Sequence, residues 1–304
     1  MAPAVEVSDF RKAYGNFVAV DGVSFEVQPG DIFGLLGPNG AGKTSTLESL
    51  EGLRAPSSGT LRVAGIDPAK EPRKLRDVIG VQLQSAGLPE SITPAETMRL
   101  FCAYHRIAPR IDLLDRLGLV DKADTQYAEL SGGQQRRLAL ALAIALDPQV
   151  LFLDEPTSGL DVPSRAELHR LIRELRMAGT TVILATHDMA EAEEMADGVA
   201  ILLSGEIAAI GTPREITATG AGMTKVSVLT RNGSLVTSEV LFPAVQRHHQ
   251  EEGYSIYLSA DVGPTVGAII TYVEAKGDTL IDLRVERPSL EDRFLEIANL
   301  GGTP

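Results

Sequence analysis

The segment GPNGAGKTS, Gly37 to Ser45, sets glycines at 37, 40 and 42 directly before a lysine and two hydroxyl residues. Glycine has no Cβ, so such a loop can wrap with its backbone N–H groups facing phosphate oxygens. Gly37, Pro38, Asn39, Gly40, Ala41, Gly42, Lys43, Thr44 and Ser45 are therefore candidate nucleotide ligands. Lys43 suits the β- and γ-phosphates, and the Thr44 hydroxyl suits Mg2+. A second pair, Asp154 and Glu155, ends the apolar run VLFLDEP. Asp154 there can hold Mg2+, usually through water, and Glu155 can polarise an attacking water. Alone, an acidic strand end is common; beside a phosphate loop it reads as a nucleotide hydrolase. The third cluster is LSGGQ, Leu130 to Gln134. Its five fixed positions arise by chance in about one chain of this length in ten thousand. Ser131 is a natural helix N-cap, and Gly132 and Gly133 leave N–H groups bare at the head of an apolar helix, which makes an anion site. With one phosphate site already present, the second makes sense if it addresses the γ-phosphate of a nucleotide held by another copy.

These residues need rigid elements behind them. A strand over Asp31–Leu36 precedes the phosphate loop, and Lys43–Leu53 reads as a helix. Residues 85 to 127 read mainly as helices, with breaks at Pro89, Pro94, Pro109 and Gly118. Val150–Pro156 and TTVILATH suit buried parallel strands, with the amphipathic helix SRAELHRLIRELRMAG between them. Asp188 and Glu191 make a capping-box-like start for another helix. The alternation predicts a parallel α/β sheet with right-handed crossovers. At Thr217–Gly222 small residues form a linker, and a separate small α+β domain is expected from about 221. Asn232-Gly233 there predicts a hairpin between TKVSVLT and SLVTSEVLF.

Composition limits the function classes. The 304 residues carry 28 basic and 41 acidic side chains, a net charge of −13, which argues against a general nucleic-acid binder. Cys102 is the single cysteine, so no disulfide forms within the chain, and it is expected as a small core residue. The first fourteen residues show no secretion signal, and the longest apolar run, near Leu138–Leu146, falls short of the roughly 18 residues of a spanning helix. Arg136 and Arg137 are expected at a groove edge or in solvent, and His248-His249 in a solvated loop rather than at a metal.

Taken in this order, the motifs over residues 4 to 220 resemble the ATP-binding subunit of ABC transporters. The resemblance implies a P-loop NTPase core over 1–220, with a helical subdomain at about 85–148 and an α+β accessory domain over 221–304. It implies that Tyr14 stacks on adenine, that His187 in ATHD contacts the γ-phosphate, and that Asp161 in SGLD lies on a loop running between subunits. Gln84 would sense Mg2+, the water and the membrane partner, although VQLQ also offers Gln82. Ser131, Gly132, Gly133 and Gln134 would close over the ATP of a second copy. RPSLEDRFLEI, Arg287–Ile297, resembles the end of drug and antibiotic exporter ATPases of the daunorubicin-resistance type. That group keeps its membrane permease on a separate chain. ATP and Mg2+ as cofactors, an ATP-bound homodimer, a position at the cytoplasmic face of the membrane and no nucleic-acid partner follow from the resemblance. So does a groove around Leu83–Leu114 for a cytoplasmic helix of the permease. Two other classes compete: a soluble ABC ATPase acting on ribosome or DNA, and a non-catalytic nucleotide switch. The short distance from Thr44 to Ser131 leaves no room for a coiled-coil insertion, and Glu155 with His187 argues against the switch.

Overall fold

The computed structural model describes residues 2–82, 87–218, 223–236 and 240–300. They fall into two compact units, Met1–Pro213 and Arg214–Pro304. The expected junction at 220/221 lies outside the described residues.

The first unit opens with the antiparallel strands β1 (Val5–Tyr14) and β2 (Phe17–Val27), followed by β3 (Ile32–Leu36), whose five residues are all buried. Then come α1 (Lys43–Leu50), β4 (Ser58–Val63), α2 (Pro72–Arg76) and β5 (Ile79–Gln82). The helical stretch holds α3 (Pro94–Tyr104), α4 (Asp112–Arg116) and α5 (Gly132–Ala143). The chain returns through β6 (Val150–Asp154), α6 (Val162–Met177), β7 (Thr181–Thr186), α7 (Met189–Met195), β8 (Gly198–Leu203) and β9 (Glu206–Gly211). β2-β1-β4 form a small antiparallel sheet, and β5-β6-β7-β3-β8-β9 a large one, parallel except for β9.

The apolar runs read as buried strands because both sheet faces are covered. Along β6, Leu151 and Leu153 join the core on one face, while Val150 and Phe152 join the core on the other. β7 divides likewise, Val182 and Leu184 against Ile183 and Ala185. Cys102 is fully buried beside Met98 in the first of these cores, as expected of a small apolar residue. Pro94 is no break: it opens α3 at its first position, where its missing N–H costs nothing. Thr93 and Glu96 close a capping box around it.

The second unit contains α8 (Pro213–Ala218, entered from the first), β10 (Thr224–Thr230), β11 (Val245–Glu251), β12 (Tyr254–Ser259), α9 (Val262–Ala275), β13 (Leu280–Glu286) and α10 (Leu290–Leu300). Its antiparallel sheet runs β11-β12-β10-β13, with Val226, Val228 and Tyr257 packed against Ile269 and Val273 of α9. This unit departs from the sequence expectation in two places. Among the described residues Asn232-Gly233 joins no hairpin, since β12 and β13 take both sides of β10. The N–H groups of Asn232 and Ser234 go instead to the Asp278 carboxylate, at 2.9 and 3.0 Å, and Leu235 turns into the core. His248 and His249 lie on β11, not in a loop; this edge strand pairs on one side only and lacks apolar alternation, and His248 stacks on Tyr257 at 4.5 Å.

Gly80 of β5 binds the helical stretch to the sheet, because an added Cβ would collide with Ala143 O at the end of α5. Gly80→Ala is expected to lower stability by about 2 kcal/mol through overpacking, read as a fall in the urea midpoint at unchanged slope.

Candidate functional site

β6, β7 and β3 are neighbours running the same way, so their carboxyl ends meet at one edge of the sheet. Ligands of open parallel sheets bind at this edge. Here β3 delivers Gly37–Gly42, β6 delivers Asp154 and Glu155, and β7 delivers His187. A cleft of about 390 Å³ is lined by Pro38, Asn39, Gly40, Gly42, Lys43, Thr44, Ser45, Asp154, Glu155 and His187. Tyr14, Phe17, Ala19 and Ser158 complete it.

The loop before α1 depends on glycine. Gly37, Gly40 and Gly42 have φ of +145°, +83° and +103°. A Cβ on Gly37 would collide with Leu202 O, and one on Gly42 would sit 2.6 Å from Ala19 O. Lys43 is 6% exposed and donates to Gly37 O at 2.6 Å and Pro38 O at 3.2 Å. Burial lowers its pKa, against the opposing pull of Glu155 and Asp154. Burial raises that of Asp154, helped by Glu155 and opposed by Lys43. These groups fit a nucleotide and its cation: a backbone cradle at a helix start, one buried cation, and a hydroxyl and a carboxylate for Mg2+.

Glu155 is held in an uncommon conformation. Its φ is +49°, in the left-handed region that costs a non-glycine residue energy. Three contacts fix it. Its N–H donates to Ala185 O at 2.9 Å, its carbonyl accepts from Arg136 Nη1 at 2.8 Å, and both carboxylate oxygens lie 2.8 Å from His187 Nδ1. A carboxylate only accepts, so Nδ1 is the donor. Arg136 therefore does not point to solvent, and Arg137 pairs with Glu167 at 2.8 Å. Nothing in the local sequence signals the Arg136 contact, which spans nineteen positions of chain. Tyr14 also lines the cleft, its hydroxyl 3.3 Å from Ser45 Oγ, with the cations of Lys12 and Arg54 over its ring. An oriented carboxylate beside a phosphate cradle can activate water against a phosphoanhydride.

Ser131, Gly132, Gly133, Gln134 and Asp161 do not line this cleft. Ser131 caps α5, its Oγ accepting from Gln134 N at 3.3 Å while Gln134 Oε1 accepts from Ser131 N at 2.9 Å. The Ser131 cap was expected from residue type, and the reciprocal bond to Gln134 completes a capping box around it. A Cβ on Gly133 would meet Ser164 Oγ at 3.2 Å, whereas Gly132 faces open space. Asp161 caps α6, accepting from Ser164 N at 2.8 Å.

Gln84 lies outside the described residues. Gln82 is buried, and neither its amide oxygen nor its nitrogen has a hydrogen-bond partner among the described residues. It borders a second, more apolar groove of about 530 Å³ with Glu51, Leu88, Phe101, Tyr104 and Leu142. Glu51 is 7% exposed; burial first, then Asp154 and Glu48, push its pKa from 4.5 up to about 7. The folded chain thus binds a proton more tightly than the unfolded chain, so stability falls as pH rises from about 4.5 to 7. Glu51→Gln is expected to remove that fall, leaving the variant on the order of 3 kcal/mol more stable than wild type at pH 8 and little changed at pH 4, by urea unfolding at both values.

The family model for ABC transporters matches residues 20–158. Over 302 residues, 97% of this chain and 96% of the relative, the sequence is 36% identical to the Nod factor export ATP-binding protein I of Paraburkholderia xenovorans (strain LB400). It is 35% identical over 308 residues to the daunorubicin resistance ATP-binding protein DrrA3 of Streptomyces coeruleorubidus, covering 97% and 95% of the two chains. Among solved structures, cbiO1 from Clostridium perfringens, part of the ABC transporter complex cbiONQ, superposes with a TM-score of 0.65 at 29% identity, covering 72% of this chain and 92% of that one. The cassette MJ0796, in a dimeric post-hydrolysis state bound to ADP and Pi, superposes at 0.63 and 26% identity, covering 68% and 98%. The chain belongs to the ATP-binding subunits of the ABC transporter family, and its reaction is the hydrolysis of ATP.

Proposed function

We propose that this chain is the motor subunit of an export system, working as an ATP-bound homodimer on a separate membrane permease. One observation carries the reading. Lys43, Thr44, Asp154, Glu155 and His187 share a cleft, while Ser131–Gln134 of the same chain lie outside it. A second copy facing the first would bring its Ser131 and Gly133 to the γ-phosphate, so that two ATP molecules are sandwiched between two chains. The names of the relatives, Nod factor export and daunorubicin resistance, support export.

In this reading the Gly37–Ser45 loop cradles the phosphates and Tyr14 stacks on adenine. Thr44 and Asp154, with Gln84, would hold Mg2+, and that ion would offset phosphate charge. Glu155 orients a water for in-line attack on the γ-phosphorus as its bond to the ADP oxygen breaks. His187 holds the carboxylate in line through Nδ1 and assists at the γ-phosphate. The fixed backbone of Glu155 means that the carboxylate needs no reorganisation at the moment of reaction. Closing the dimer drives the permease, and hydrolysis reopens it. The groove beside Gln82 and Phe101 receives a cytoplasmic helix of the permease, which places the chain at the cytoplasmic face of the membrane. Among the described residues no helix is long and apolar enough to cross it. Residues 221–304 serve assembly rather than nucleotide binding.

Three outcomes are expected. Glu155→Gln lowers steady-state ATP turnover at least about 100-fold with ATP affinity within a few-fold, since it removes the water-orienting charge and keeps the shape; wild-type turnover in this variant contradicts the assignment. The same variant, recovered with ATP from native membranes, brings a polytopic membrane protein in roughly equal amount, and recovery with ribosomes or DNA-bound proteins instead contradicts the transporter reading. Deletion from residue 221 onward weakens recovery of that membrane protein more than ATP binding; equal loss of both contradicts an assembly role.

A further inference from the structure

α6 and α7 carry a ladder of opposite charges facing one another. Arg165 Nη1 lies 3.1 Å from Asp188 Oδ2, and His169 Nε2 lies 3.1 Å from Glu191 Oε1. Arg173 pairs with Glu194, and Arg176 grips both oxygens of Asp197 at 2.9 and 2.6 Å. The spacing is 4, 4 and 3 residues along α6 and three at each step from Asp188, the N-cap of α7, to Asp197, just past its C-cap. The pairs therefore keep step along two helices running the same way.

The ends of the ladder touch the site. Arg165 stands one turn after Asp161, and its N–H bonds to Asp161 O at 2.9 Å. Asp188 follows His187 directly and caps α7, accepting from Glu191 N at 3.0 Å. At the far end, Asp197 accepts from Ile32 N at 2.9 Å, at the start of the strand that feeds the phosphate loop. The Asp161 loop, the His187 loop and β3 are thus joined through one set of charged contacts.

The middle rung is the informative one. Three rungs are partly exposed, where ion pairs add little stability. His169 and Glu191 are 4% and 3% exposed. His169 Nδ1 also faces Glu194 Oε2 at 3.7 Å, and Glu191 Oε2 is buried without a hydrogen-bond partner among the described residues. A buried pair with an unsatisfied oxygen is a poor way to gain stability, and apolar side chains of similar size do as well or better. What the pair supplies is a fixed register between the helices.

We propose that His169 and Glu191 form a positioning pair that locks α6 to α7 and so transmits the placement of the Asp161 loop to His187 and the Glu155 carboxylate. This rests on the roles given above to Glu155 and His187. Neither His169 nor Glu191 lines the nucleotide cleft, so the pair acts through Asp188 and His187.

The test uses the full chain and ATP, with kcat, KM and Tm read for each variant. The double variant His169→Leu/Glu191→Met removes both partners and leaves no lone buried charge. It is expected to keep or raise Tm, to lower kcat about tenfold and to leave KM for ATP within twofold. His169→Gln, which retains a donor toward Glu191, is expected to recover most of kcat. In the double-variant background, Asp161→Ala is expected to lose most of its own effect on kcat, because the connection is already cut. Wild-type kcat in the double variant overturns the proposal, and so does a joint loss of Tm, kcat and affinity, which marks a merely structural pair. Should the double variant not fold, Arg165→Gln at the exposed rung is read in its place: lowered kcat at unchanged KM and Tm supports the ladder, and wild-type kcat overturns it. A Glu155→Gln control that keeps turnover sinks the reading of Glu155 itself, whereas a dead control beside an unchanged double variant sinks the ladder alone.

Discussion

The burial of opposite charges at the carboxyl edge of one sheet is the constraint on which the rest depends. Lys43, Asp154 and Glu155 sit close together in a largely desolvated cleft, where each charge feels its neighbours strongly. Burial opposes the charged forms of Lys43 and Asp154, and placement beside opposite charge offsets part of that cost. The parallel order β6-β7-β3 meets this requirement. Each strand is covered on both faces, so the residue at its end has little freedom, and the glycines at 37 and 42 stand where any side chain would strike backbone.

The same demand explains the strain at Glu155. A left-handed backbone at a glutamate persists only where its surroundings over-determine it. Ala185 O, Arg136 and His187 do so from β7, α5 and the turn before α7. Arg136 lies two residues beyond Gln134 on the same helix. The segment proposed to face a second copy is thus tied to the backbone of the residue proposed to activate water. The charged ladder between α6 and α7 adds a tie from the Asp161 side. Both routes converge on Glu155 and His187, which suits a site whose chemistry waits for a partner.

Much of this was legible in the sequence. The phosphate loop, the strand ending in Asp154-Glu155, the His187 strand and the Ser131 cap each depend on local residue type, and local rules reached them. The parallel α/β order followed from strand–helix alternation and apolar runs. What failed was what tertiary contacts decide. Asn232-Gly233 has hairpin chemistry, but the Asp278 carboxylate accepts from the N–H groups of Asn232 and Ser234, and β10 pairs elsewhere. The β11 strand has no apolar alternation because it is a sheet edge, so its histidines looked like loop. Arg136 and the His169–Glu191 pair depend on partners 19 and 22 positions away, which no spacing rule connects.

The most direct test of the shared site is the mass of the Glu155→Gln chain by analytical ultracentrifugation, with and without ATP, compared with the same chain carrying Gly132→Asp. An added Cβ at Gly132 meets nothing within 4 Å among the described residues, so a side chain is accommodated there, and its carboxylate opposes any phosphate brought to that turn. The expected result is an ATP-dependent dimer that Gly132→Asp abolishes while each chain still binds ATP. A dimer that survives Gly132→Asp, or a chain that binds ATP and stays monomeric, would contradict a nucleotide site completed by a second copy.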